Sequence, residues 1–399
     1  MNHDVNQLPM TPSTKKSLNI CIVAHFAYGA MTGGSSGHIG GVERQTSFMA
    51  RWLAARGHRV SLITWDEGQA DGIEIDGVKI FRLCRRDDGI WGLRFFHPRW
   101  TSLDKALERA SAEVYYHNCA EYVTGQVALW GHRHSRKFVF SAAHDHDCME
   151  SLPGLKSIRE RVLYRYGLRH GDRIIVQTRT QQRMLKDGFG LDSLIIPMPC
   201  PGPSEEDFVS PEPPDPTSSH ILWIARLTQQ KRPDRFLDLA EMCPDLQFDL
   251  VGPGYNDAYS NMIIERARQI PNVTIHGAVI REKVPDLYRK AACLCSTSDH
   301  EGFPNTFLEA WSYGIPLITT FDPDQIVAGK GLGAVASDVR GLARSIRDLL
   351  ASPDLWKSAS VNARQYYVEN HSIERTLPRF EQAFRDVLSE LNQTRNVLR

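Results

Sequence analysis

The chain has 399 residues, 42% hydrophobic and 24% charged, which suits two soluble domains and exceeds one ordinary core. Lys plus Arg and Asp plus Glu both number 47, so no global field draws in nucleic acid or anionic lipid. Eight scattered cysteines with no C-x-x-C pair argue against a zinc or disulfide framework and point to a reducing cytoplasm.

Met1 to Ser17 is polar, carries Pro9 and Pro12, and reads as a disordered tail with no signal peptide. No stretch reaches the roughly 18 apolar residues that a bilayer span needs. From residue 18 onward, short β-branched runs alternate with amphipathic segments, the pattern of a doubly wound, parallel α/β sheet. The first half predicts strands at Leu18–Ala24, Arg59–Thr64, Lys79–Leu83, Val114–His117, Phe138–Ala142, Arg173–Gln177 and Leu194–Ile196. Helices are predicted at Val42–Arg56, Leu103–Arg109, Tyr122–His132, Lys156–Arg169 and Thr180–Lys186.

Three features stand out in this half. Gly29, Gly33, Gly34, Gly37, Gly40 and Gly41 follow the first strand, where a glycine-rich backbone can approach a phosphate. The spacing is not that of the dinucleotide fingerprint. Next, Phe138–Ala142 runs into Ala143-His144-Asp145-His146-Asp147. Consecutive residues rarely converge on one ion, so no metal is expected; His146 and Asp147 are as well explained as caps of the next turn. Finally, Leu155, Ile158, Val162 and Tyr166 recur at helical spacing among Lys156, Arg159, Arg161, Arg165, Arg169 and Arg173. That apolar stripe is read as packing on its own sheet.

Between Pro197 and Pro216, eight prolines forbid regular ladders, so residues 201–219 read as an interdomain linker. The alternation then restarts. Strands are predicted at Ile221–Ala225, Gln247–Val251, Val273–His276, Ala292–Ser296, Leu317–Thr320 and Ala334–Ala336. Helices follow at Pro233–Met242, Tyr259–Gln269, Val284–Lys290, Asn305–Tyr313 and Val339–Leu350, with two more near Asp354–Glu369 and Ile373–Leu391. The resulting division is a tail at 1–17, domains at 18–200 and 220–370, and a C-terminal helix at 371–399.

The segment Glu301-Gly302-Phe303-Pro304-Asn305-Thr306-Phe307-Leu308-Glu309 has a chemical logic. It follows a strand, so it sits at the sheet's carboxyl edge, where such sheets take ligands. Pro304 and Asn305 start a helix whose free N–H groups suit a phosphate. Glu309, one turn in, is an acceptor-only group that can take two hydroxyls of a sugar. Arg226 ends a strand and Lys231 follows five residues later, so two cations could converge on one diphosphate.

Glu301 to Trp311, followed by Tyr313-Gly314-Ile315-Pro316, closely resembles the E-x7-E region of family 4 retaining glycosyltransferases, the group 1 enzymes related to glycogen synthases and mannosyltransferases. The resemblance implies the GT-B fold: two Rossmann-like domains facing each other across a cleft, with the last helix crossing back to the first. It implies that Glu301 lies by the donor sugar, Glu309 grips the ribose, and Arg226 and Lys231 hold the diphosphate with the backbone of Phe303, Pro304, Asn305 and Thr306. Gly277 and Val279 resemble the family's base-contacting turn. Gly40-Gly41-Val42-Glu43 matches its G-G-x-E motif, and His144, or else Asp145, occupies the position near the anomeric centre. The implied activity is metal-independent, retaining hexosyl transfer, without a cofactor, from a UDP- or GDP-sugar to a glycan, lipid-linked or small-molecule acceptor. Nucleic acid is not an expected partner. Some members of the family sit on membranes through a basic helix, which would make segment 155–173 a peripheral contact at the inner membrane face. The competing readings are an epimerase or hydrolase of the same fold, a non-catalytic sugar-nucleotide binder, and a metal hydrolase using His144 to Asp147.

Overall fold

Short apolar runs bounded by polar turns pair into two sheets in the computed structural model, which describes residues 16–33, 40–215, 219–255 and 257–397. Most of the expected N-terminal tail lies outside the described residues, as do Gly34 and Gly37. The chain divides into two units: one runs to Met198 and resumes at Thr376, and the other is Pro199–Arg375.

The N-terminal unit contains β1 Asn19–Val23, β2 Arg59–Thr64, β3 Ile73–Ile75, β4 Val78–Arg82, β5 Val114–Asn118, β6 Lys137–Ser141, β7 Arg173–Val176 and β8 Leu194–Ile195. Their order is β3-β4-β2-β1-β5-β6-β7-β8, and every pairing is parallel except β3 with β4. Residues of β1, β5 and β6 are almost wholly buried, as helices on both faces of a parallel sheet require. The hairpin strand β3 is absent from the sequence prediction. Asp76-Gly77, both at positive φ between Ile75 and Val78, is the two-residue turn that signals it.

The helix predicted to start at Lys156 starts at Ile158. Ser157 accepts the Glu160 N–H at 3.2 Å while Glu160 takes the Ser157 N–H at 3.0 Å, a capping box that fixes the start. Its expected apolar stripe does not pack as one face. Leu155 is buried and Tyr166 half-buried, but Ile158 is 82% and Val162 61% exposed. The residues facing the core are Tyr164, Gly167 and Leu168, a stripe rotated from the expected one. The rotation has a steric cause. Gly167 meets Gly125 of the helix Tyr122–Arg133, and a Cβ at Gly125 would stand 2.1 Å from the Leu163 carbonyl oxygen. Backbone meets backbone there, so two glycines choose the face.

Residues from Thr376 onward in the last helix, Ile373–Val397, belong to the N-terminal unit. The rings of Phe380 and Phe384 meet Tyr116 of β5 edge-on. Glu381 takes Arg56 at 3.0 Å and Arg385 at 2.8 Å. Against the burial that would raise it, these cations hold its carboxyl below the ordinary range.

In the other unit all pairings are parallel: β9 His220–Ile224, β10 Gln247–Val251, β11 Val273–Gly277, β12 Ala291–Ser296, β13 Leu317–Thr319 and β14 Gly333–Val335, in the order β11-β10-β9-β12-β13-β14. In its described part the proline-rich stretch is bonded to its neighbours. Tyr367 donates to the Cys200 carbonyl at 2.8 Å, and Arg364 donates to the Pro203 carbonyl at 3.1 Å while lying 4.1 Å over Phe208. Proline removes N–H donors but leaves carbonyls, and neighbouring side chains use them to strap the segment down.

Candidate functional site

In the C-terminal unit the connections from β9 and β12, adjacent strands, lead away in opposite directions. Their carboxyl ends therefore bound the crevice where a doubly wound sheet takes ligands. The loop after β9 makes a short 3-10 turn, Gln229–Lys231, and the Lys231 ammonium pairs with Glu301 from the loop after β12. The Glu301 side chain is only 8% exposed, so its charge is matched mainly by this partner.

The two loops are stitched together around that pair. Asp299 N–H donates to the Gln230 carbonyl at 3.1 Å, and Gln230 Nε2 donates to the His300 carbonyl at 3.1 Å. Thr297 Oγ1 lies 3.0 and 2.8 Å from the carbonyls of Lys231 and Arg232 and accepts Trp223 Nε1–H at 3.0 Å. Asp299 also takes Arg235 at 2.8 Å and Arg232 at 3.3 Å. Side-chain bonds to Asp234, with Asp299 adding its charge, push the Arg232 guanidinium above its ordinary range.

The helix Asn305–Ser312 begins after Pro304 with no acidic residue in its first turn, so its positive end is not neutralised locally. Glu309 is not an idle surface acid. Its Oε2 accepts the Tyr288 hydroxyl at 2.9 Å, and its Oε1 lies 3.3 Å from Arg281. Phe303 is buried, its ring 5.0 Å from that of His371. Arg226 is exposed and donates to the Tyr255 hydroxyl at 2.6 Å in the loop after β10. Gly277 closes β11 at φ 63° and accepts the Gly252 N–H at 2.8 Å, with Val279 half-buried beyond it. Lys231 and Glu301 are thus brought into contact, while Arg226 and Glu309 are held by tyrosines that sequence reasoning missed. Neither tyrosine belongs to a motif, and Arg281 is one of several unremarkable surface cations in the sequence.

In the N-terminal unit Gly40 precedes the helix Gly41–Ala55 and donates its N–H to Glu43 at 2.9 Å. The acid of the G-G-x-E motif thus serves as a cap. After β6, His144 is exposed. Asp147 accepts the N–H groups of Ala143 at 2.8 Å and His144 at 3.1 Å, closing the turn Asp145–Asp147. Asp145 instead accepts Gln181 Nε2–H at 3.0 Å. Three of the four residues His144 to Asp147 are therefore accounted for differently: one exposed, one capping and one bonded to a side chain of a neighbouring helix. No group of three His, Cys, Asp or Glu among the described residues could hold a metal.

Comparison with known proteins covers both units. Residues 204–366 match the family "Glycosyl transferases group 1", and residues 40–201 match "Glycosyl transferase 4-like domain". The chain is 23% identical over 319 residues to a component of the human phosphatidylinositol N-acetylglucosaminyltransferase, covering 76% of this chain and 62% of that one. Across the curated relatives it matches, the chain spans between 37% and 63% of their lengths. The sucrose-phosphate synthase of Thermosynechococcus elongatus superposes with a TM-score of 0.74 at 17% identity, covering 93% of this chain and 99% of its own. Anabaena Alr3699/HepE, solved with UDP and glucose, gives 0.70 at 16% identity over 92% and 99%.

Proposed function

The chain belongs to the group 1, family 4-like glycosyltransferases of the GT-B fold, and from that premise we propose that it transfers a hexosyl group from a nucleoside-diphosphate sugar to a hydroxyl, with retention. The Lys231–Glu301 pair at the reversal point of the C-terminal sheet carries this reading.

The sugar nucleotide binds the C-terminal unit. Glu309, oriented by Tyr288 and Arg281, takes the ribose hydroxyls. Gly277 and Val279 offer backbone groups to the base. The first-turn amides of the helix Asn305–Ser312, with Phe303 and Pro304 ahead of them, face the diphosphate. Arg226 and Lys231 neutralise the charge that grows on it as the bond from C1 to the leaving oxygen breaks. Glu301 positions Lys231 and orients the sugar. The acceptor hydroxyl then attacks C1 on the face that the diphosphate leaves, and its proton passes to a leaving phosphate oxygen. Charge is supplied by side chains, so no metal is assigned to the step. The acceptor is assigned to the N-terminal unit, where His144, Gly40 and Gly41 are the residues proposed to serve the reaction.

UDP-glucose is the first donor to try, since a solved structure of this fold holds UDP and glucose. Thermal-shift screening against UDP-, GDP- and ADP-hexoses should show one stabilising donor, and NMR of the product should show the donor's anomeric configuration preserved. Chelator should leave the rate unchanged. Donor consumption without an acceptor at the full rate would favour an epimerase or hydrolase, and binding with no turnover would favour a non-catalytic role.

The reading extends to an anionic membrane surface carrying a lipid-linked acceptor. It is supported by Ile158 and Val162, exposed one turn apart among Lys156, Arg159 and Arg165. Arg159 lies 3.8 Å over Phe95, joining this helix to a segment that exposes Ile90, Trp91, Leu93 and Phe96. The chain should co-sediment with phosphatidylglycerol vesicles at low salt, and Ile158→Glu with Val162→Glu should release it. Wild-type chain left in the supernatant would remove the membrane from the proposal.

A further inference from the structure

The sheet of the N-terminal unit also reverses direction, between β1 and β5, and two histidines stand at that point. His25 follows β1, and His117 is the penultimate residue of β5. His117 Nδ1 lies 2.8 Å from the Val23 carbonyl oxygen. A carbonyl only accepts, so Nδ1 carries the proton and Nε2 is a bare acceptor. The His25 ring lies against Trp65 with centroids 4.5 Å apart and planes tilted by 42°, its Nδ1 3.8 Å from a carboxylate oxygen of Glu121.

His25 and His117 are 6% and 2% exposed, and Nε2 of each, with Oδ1 of buried Asn118, has no hydrogen-bond partner among the described residues. Burial lowers the two imidazoles, His25 to about 3 and His117 to about 4, so both are neutral at neutral pH. Burial, with Glu43 and Asp147 adding repulsion, raises Glu121 to about 7. These groups line a cavity of about 20 Å³, room for a single oxygen-sized group. Unpaired polar atoms in one small cavity are costly, and a hydroxyl can donate its one proton to His117 Nε2 or Asn118 Oδ1 and accept one in return, which an anion cannot.

We propose that this cavity seats one hydroxyl of a polyhydroxylated ring, a sugar or a cyclitol, and that His25, His117 and Glu121 are specificity-determining residues for the acceptor. The proposal rests on the assignment of the acceptor to this unit. The remainder of the ring lies at the cavity mouth, where a third of the Glu121 side chain is exposed.

The test is saturation-transfer NMR on the full chain with UDP present, using methyl α-D-glucopyranoside and myo-inositol as probes. One or both should show binding to the wild type, and the stronger probe tells a glycan from a cyclitol headgroup. His25→Phe keeps a ring against Trp65 but removes both nitrogens, and should weaken the better probe about tenfold. Glu121→Gln, nearly isosteric, should alter the ranking of the two probes. No signal from either probe with the wild type overturns the proposal. So does unchanged affinity in His25→Phe with a shifted melting temperature, which would mean a structural water alone. If His25→Phe does not fold, Glu121→Gln decides: an unchanged ranking overturns the proposal. Loss of every sugar-nucleotide thermal shift with probe binding intact would sink the transferase reading and leave the cavity assignment standing.

Discussion

Lys231→Ala is expected to lower turnover by about 10²–10³-fold, the usual effect of deleting one group that meets charge developing in a transition state. The reason lies in where its ammonium is held. Trp223 holds Thr297, Thr297 holds the carbonyls of Lys231 and Arg232, and Asp299 ties both loops through Arg232 and Arg235. A cation fixed in that way need not reorganise as the diphosphate departs, which is where its advantage over water arises. Ground-state affinity for the nucleotide should fall much less than turnover. Lys231→Arg should recover only part of the loss, because a planar guanidinium does not reproduce a compact ammonium. Glu301→Gln separates the two roles of the pair: the cation stays but is no longer aimed, so turnover should drop while UDP binding persists. Turnover of Lys231→Ala within about threefold of wild type would contradict the role assigned.

The second large effect is on folding. Gly125→Ala should destabilise the N-terminal unit by about 3 kcal/mol or more, the upper end of overpacking costs. The new Cβ would stand 2.1 Å from the Leu163 carbonyl oxygen and 2.6 and 2.8 Å from its carbonyl carbon and Cα. Those are backbone atoms, and the helix carrying them is anchored by buried Tyr164 and Leu168, so neither side can yield by a rotamer change. Gly167→Ala meets the Thr124 carbonyl at 2.7 Å and should cost similarly. The double mutant should cost less than the sum, since one separation of the helices relieves both clashes. Urea unfolding followed by circular dichroism measures this, and a change below about 0.5 kcal/mol in either single mutant would refute the account.

Local sequence was enough to specify a doubly wound α/β chain, most of its strands, and the segments that carry the family's motifs. Each signal is short-range: β-branched runs, a Pro304–Asn305 helix start and the E-x7-E spacing are all written within a dozen residues of themselves. It was silent or wrong where the outcome depended on distant partners. The inward face of the helix Ile158–His170 was decided by Gly125, more than thirty positions away, and this exposed two residues that periodicity assigned to the core. The proline-rich stretch was strapped down by Arg364 and Tyr367, which no local rule connects to it. Glu309 was legible as an acid one turn into its helix, but its partners Tyr288 and Arg281 were not. His25 and His117 meet only because β1 and β5 are neighbours, and strand order is a tertiary fact. Periodicity reports what a segment can bury, and only the packed chain decides what it buries against.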